Sequence, residues 1–145
     1  MKNGRVSVDR QLGVDLFNGT WRLIDSREDD SLLEHMAHAS AYHWAVAPEC
    51  APENRARGEW LVSRVYALTG RPEAALVHAR RCLDWCERHA LADWDLAFAY
   101  EALARASKVG GKDADAARYL EHARSVKIAK DEDRELLETD LATIV

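Results

Sequence analysis

Several things are scarce in this chain, and each scarcity excludes something. Three cysteines in 145 residues, Cys50, Cys82 and Cys86, are an odd number with no framework spacing. They give no disulfide scaffold and point to reduced thiols in a cytoplasm. Basic residues are outnumbered by acids, for a net charge of −5. That balance argues against nucleic acid as a partner. No apolar run approaches the roughly 20 residues of a membrane helix, so no membrane role is expected. The start, MKNGRVSVDRQLG, lacks the apolar stretch of a secretion signal. Glycine-rich phosphate loops, GxSxG, HExxH and CxxC are all missing. No catalytic residue can be named and no cofactor is expected, although a site assembled from distant residues stays open.

What is present is helix. Nearly half of the residues are hydrophobic (48%) and 31% are charged, the mix of a globular domain long enough to bury a core. Seven helical segments can be read and no strand. The first, about Asp9 to Asp25, sets Leu12, Leu16, Phe17, Trp21 and Ile24 at helical spacing, weakened by Gly13 and Gly19. The second starts at a capping box of Ser31 with Glu34. The three prolines fall at breaks: Pro48 and Pro52 bracket one connection, and Pro72 suits the first turn of the fourth helix after Gly70 stops the third. Asp93 and Asp113 are candidate N-caps for the fifth and sixth. The seventh opens on acids, DEDRE, where the helix dipole favours them. All loops are short, so neighbours should pack antiparallel.

Displaced by 41 positions, the chain matches itself. Gly70 falls on Gly111, Ala75 on Ala116, Cys82 on Ala123, and Val62-Ser63 on Leu103-Ala104. Tyr100, Leu103, Ala104, Gly111, Ala116, Leu120 and Ala123 suit the pattern of small and aromatic positions in a paired-helix repeat. The earlier unit keeps Tyr66, Gly70, Ala75 and Cys82, with Trp60 one place late. This resembles the tetratricopeptide repeat, in its longer, degenerate forms. The usual period of about 34 residues is exceeded by about a turn per helix, and the closing proline is missing. The resemblance covers Ala56 to about Lys127. It implies an all-α, right-handed α-α superhelix of about seven antiparallel helices in one domain spanning 1–145. Its parts would be a helix pair over 8–46, repeat-like pairs over 52–90 and 94–128, and a capping helix over 130–144.

The helix faces suggest a place to bind. Helix three carries Leu61, Val62, Val65, Leu68 and Thr69 on one side and Arg57, Trp60, Arg64 and Ala67 on the other. Helix five sets Leu96, Ala99, Tyr100, Leu103 and Ala106 against Trp94, Phe98, Glu101, Arg105 and Lys108. Aromatics among charges are the composition of an interface. The resemblance places helices three and five along a concave groove carrying Arg57, Trp60, Arg64, Phe98, Glu101, Arg105 and Lys108. In that reading Arg57, Arg64 and Arg105 hold acidic groups of a protein or peptide, Trp60 and Phe98 take apolar anchors, and Glu101 pairs a base. Two alternatives stand beside it: the first or seventh helix fills the concavity, or the aromatic face closes a homodimer.

Other clusters are weighed as chemistry or packing. His35 and His38 are three apart and could share a metal if Asp29 or Glu101 came near, while His43 projects to the apolar face, toward a hydrogen-bonding neighbour. His78, Cys82 and Cys86 form a column, but its ends lie about 12 Å apart, too far for one ion with bonds of about 2.0–2.3 Å. NRARGEW could hold an anion at a helix start, although pairing of Arg55 with Glu59 is simpler. Asp95 and Glu101 fall on opposite sides of their helix and make no acid/base pair.

Overall fold

The computed structural model describes residues 5–144. Among these are seven α-helices and no strand: α1 Val8–Ser26, α2 Asp30–Val46, α3 Pro52–Leu68, α4 Pro72–Arg88, α5 Asp93–Val109, α6 Asp113–Ser125 and α7 Asp131–Ala142. α1 pairs with α2, α3 with α4, and α5 with α6. Each pair packs on the next through α2 with α3 and α4 with α5, and α5 also touches α3 and α7 directly.

The 41-residue register is visible in the backbone. α3 and α5 are both 17 residues long and begin and end 41 positions apart, and α4 and α6 begin 41 apart. Gly70 and Gly111 share φ +75. Behind each glycine the next N–H reaches back to a carbonyl five residues earlier, Arg71 to Tyr66 and Lys112 to Ser107, both at 2.9 Å. This is the Schellman closure, which needs a residue at ease in the left-handed region. The matched small residues Ala75, Ala116, Cys82 and Ala123 are all buried, because two helices approach closely only where side chains are short.

Three helix starts differ from the sequence-based expectation. Asp29, not Ser31, caps α2: its Oδ1 accepts from the Leu32 N–H at 3.0 Å. Glu34 is drawn away to Arg71, on the next hairpin. Asp113 is the first residue of α6 rather than its cap, and the preceding Lys112 makes no side-chain cap bond. Asp93 likewise lies inside α5, with its side chain shared between the Trp94 N–H at 2.7 Å and the Ala129 N–H at 3.0 Å. It therefore ties the start of α5 to the turn before α7.

Gly13 and Gly19, which weaken α1 as an isolated helix, are what let it meet α2. A Cβ on Gly13 would fall 2.7 Å from Trp44 Cδ1, and one on Gly19 would fall 2.8 Å from Met36 Cε. Ser40, buried on α2, donates to the Gly13 carbonyl at 2.7 Å across the same contact. The core then continues through Leu33, Leu61, Val65, Leu103, Leu137 and Leu141, all at most 2% exposed. Burying each leucine contributes about 1.5–3 kcal/mol. Gly13→Ala should lower the urea midpoint: the helix-propensity gain of about 0.5–1 kcal/mol is smaller than the roughly 1–3 kcal/mol of overpacking. A variant as stable as the parent would show that Trp44 moves aside freely.

Candidate functional site

Helices α1, α3, α5 and α7 enclose a cavity of about 380 Å³. Its wall is built from rings: Phe17 and Trp21 from α1, Trp60 from α3, and Trp94 and Phe98 from α5, with Leu136 of α7 closing one side. The rings are locked against one another. Trp60 meets Trp21 at 5.4 Å and Phe98 edge-on at 5.6 Å, and Trp94 meets Phe98 edge-on at 5.8 Å. Edge-to-face contacts of this kind add about 0.5–1.5 kcal/mol beyond area burial. Leu136 is 56% exposed, so this edge of the cup meets solvent.

The residues expected to form a basic groove are drawn together, but most of their charge is already used. Arg57 makes a two-pronged pair with Asp95, 2.9 and 3.0 Å, and lies over the Trp94 ring at 4.7 Å. Glu101 has no solvent exposure. It accepts from Trp60 Nε1 at 2.8 Å, Arg105 Nε at 2.8 Å and Arg64 NH1 at 3.4 Å. Arg105 also donates to the Asp140 carbonyl at 3.0 Å and Thr143 Oγ1 at 2.8 Å, both at the end of α7. Arg64 lies over Trp21 at 5.4 Å and within 3.8 Å of Asp140 Oδ1. Lys108 sits at the far end of α5, 3.2 Å from Asp113.

The expected roles are corrected accordingly. Arg57, Arg64 and Arg105 each hold acidic or carbonyl oxygens of this chain rather than presenting free forks to a partner. Glu101, expected to pair a base of the partner, is buried and pairs Arg64 and Arg105 of this chain. Phe98 is only 6% exposed. The reason is desolvation: once α1 and α7 flank α3 and α5, each charge must find an internal partner. Helices α1 and α7 flank α3 and α5 and leave a ring-lined space between them.

Burial leaves its mark on the charges. Desolvation holds the Asp140 carboxyl above the ordinary carboxylate range, partly opposed by Arg64. It also lowers the affinity of Arg64 for its proton, opposed by Glu101. Arg64 Nε is buried with no hydrogen-bond partner.

Sequence reasoning noted Trp94 on the polar face but left it outside the groove, and it missed Phe17, Trp21, Leu136 and Asp140. The signal was there: Phe17 and Trp21 are four apart, as are Leu136 and Asp140, so each pair shares one face of its helix.

The other clusters resolve as follows. His35 is exposed, and His38 turns from it to Tyr66, Nε2 to hydroxyl 2.8 Å. Asp29 is occupied as a cap and Glu101 is enclosed by arginines, so neither reaches the histidines. No group of three metal-ligating side chains forms among the described residues. His43 finds its neighbour in Asp9, at 2.9 Å, and is only part-buried. Cys82 and Cys86 are buried free thiols, with Cys82 held well above the ordinary thiol range by Cys86 and by burial. Glu59 pairs with His78 at 2.7 Å rather than with Arg55, whose guanidinium lies over Trp85 at 4.7 Å.

No protein-family model, curated protein or solved structure matches this chain.

Chemically, the cup offers aromatic faces, with Asp95 paired to Arg57 and Asp140 beside Arg64 at its wall. Its integrity rests on Glu101. Glu101→Gln keeps an acceptor for Trp60 but removes the buried charge that Arg64 and Arg105 share, so a loss on the order of 3–5 kcal/mol in urea unfolding is expected. A loss under about 1 kcal/mol would mean that the arginines find water instead.

Proposed function

We propose that this chain is a non-catalytic recognition module of tetratricopeptide-like, right-handed superhelical architecture, and that its ring-lined cup receives an apolar anchor from a protein or peptide. The matching 41-residue backbone register of α3–α4 and α5–α6 supports the architecture. One observation carries the function: five aromatic rings converge on a cavity of about 380 Å³ whose adjoining charges are paired within the chain. A site of that kind gains affinity by desolvating a bulky apolar side chain, with its charges fixing geometry. The reading moves the source of affinity from acidic groups of the partner to an aliphatic or aromatic one. Three unpaired cysteines and the absence, among the described residues, of a helix long and apolar enough to cross a membrane fit action in the cytoplasm.

Panning a random linear-peptide library on the purified chain tests it. Recovered peptides should share a large apolar residue. They should lose at least about tenfold in affinity against Trp94→Ala or Leu136→Asp, while Arg81→Gln on the opposite face leaves binding intact. Peptides selected for acidic residues alone and indifferent to both cup variants would overturn the reading.

A further inference from the structure

A second concavity lies on the other side of α3, between α2, α3 and α4, with a volume of about 290 Å³. Where the first is walled by rings, this one mixes charged side chains with apolar ones such as Ala41 and Val62. Arg55, Asn54 and Glu59 line it from α3, His38 from α2, and His78 and Arg81 from α4. Arg55 and Arg81 have no carboxylate within ion-pairing distance among the described residues, unlike the arginines of the cup. Arg55 is steadied by the Trp85 ring. Asn54 Oδ1 accepts from the Ala51 N–H at 2.9 Å, which leaves its amide N–H groups as donors.

The one acid here is committed. Glu59 Oε1 lies 2.7 Å from His78 Nδ1. A carboxylate can only accept, so Nδ1 carries the proton and His78 Nε2 is left as the site that gains a second one. Two guanidinium groups therefore face a single carboxylate that is already hydrogen-bonded, in a chain whose net charge is −5. Such a local excess of cation, kept where the molecule as a whole is acidic, has the chemistry of an anion site.

We infer that this pocket binds the phosphate group of a small phosphorylated molecule, with Arg55 and Arg81 as the principal donors and Asn54 and His78 completing the contacts. Several donors from two helices, α3 and α4, suit a tetrahedral oxyanion with several oxygens to share better than a planar carboxylate. The pocket's size suits a small molecule rather than an extended chain.

The site should respond to pH. His38 faces the Tyr66 hydroxyl and the rings of both Tyr66 and His78, with Glu59, Glu34 and His35 also in range. His78 faces Glu59, His38 and Tyr66. Burial and the neighbouring His78 hold His38 below its ordinary value, with Glu59 and Glu34 opposing. An anion bound beside His38 favours the protonated form of that imidazole, so affinity for an oxyanion of constant charge rises as pH falls.

Calorimetric titration of the full chain with glycerol 1-phosphate and inorganic phosphate tests this, with glycerol as the uncharged control. Sulfate serves as an oxyanion of constant charge. Both phosphates should bind and glycerol should not. Arg55→Gln and Arg81→Gln should each weaken binding roughly tenfold or more with the helical circular dichroism unchanged. Sulfate should bind several-fold more tightly at pH 5.5 than at pH 7.5, and His38→Gln should flatten that dependence. Absence of binding to the parent protein, or equal binding by the Arg55→Gln/Arg81→Gln double variant, would overturn the assignment.

Discussion

Glu101 sits on α5 where nothing of it reaches water, and an isolated charge in that position would cost several kcal/mol. What makes it tolerable is that donors come from two helices: an indole and a guanidinium from α3, and a second guanidinium from one turn further along α5. Those donors are then fixed. Trp60 cannot rotate without leaving the carboxylate, and so its ring is presented at one angle to Trp21 and Phe98. Arg105, anchored at one end by Glu101, reaches the last turn of α7 with the other. The shape of the cup follows from this one buried acid.

The two faces of α3 divide the work. Toward α1, α5 and α7 it turns Arg57, Trp60 and Arg64, whose charges are neutralised at close range and whose rings are bare. Toward α2 and α4 it turns Arg55 and Glu59, where cation outnumbers committed acid. Alternate sides of one helix thus carry opposite chemistry, because residues two positions apart point about 200° apart around the axis. Gly58 lies between them, where a Cβ would fall 3.4 Å from Ala41 Cβ of α2.

The fold was largely legible because helix breaks here are marked by residues with a mechanical reason to be there. Gly70 and Gly111 take a backbone conformation that side chains resist, and Pro52 and Pro72 stand in first turns where no N–H is needed. The helix caps were harder. Ser31 and Asp113 have the right chemistry, but Asp29 reached the free N–H first and Glu34 was claimed by Arg71 across the hairpin. The site was half legible. A helical projection shows that Trp60 and Phe98 share a side with arginines, but it says nothing of which acid comes to meet them. Arg57 and Asp95 are 38 positions apart, and Arg64 and Glu101 are 37. Pairings at that distance belong to the stacking of one hairpin on the next, which composition cannot report.

Trp60 and Glu101 are separated by 41 positions, the same interval as the chain's internal match, so the bond joins a residue in one unit to the position one full period later. Stacked-helix chains commonly melt piecemeal, each hairpin leaning only on its neighbours through apolar contact. Here an ionic clasp spans that joint and extends, through Arg105, to the closing helix. Peeling away α7 or parting α3 from α5 would take partners from these buried charges, so those three helices should melt together.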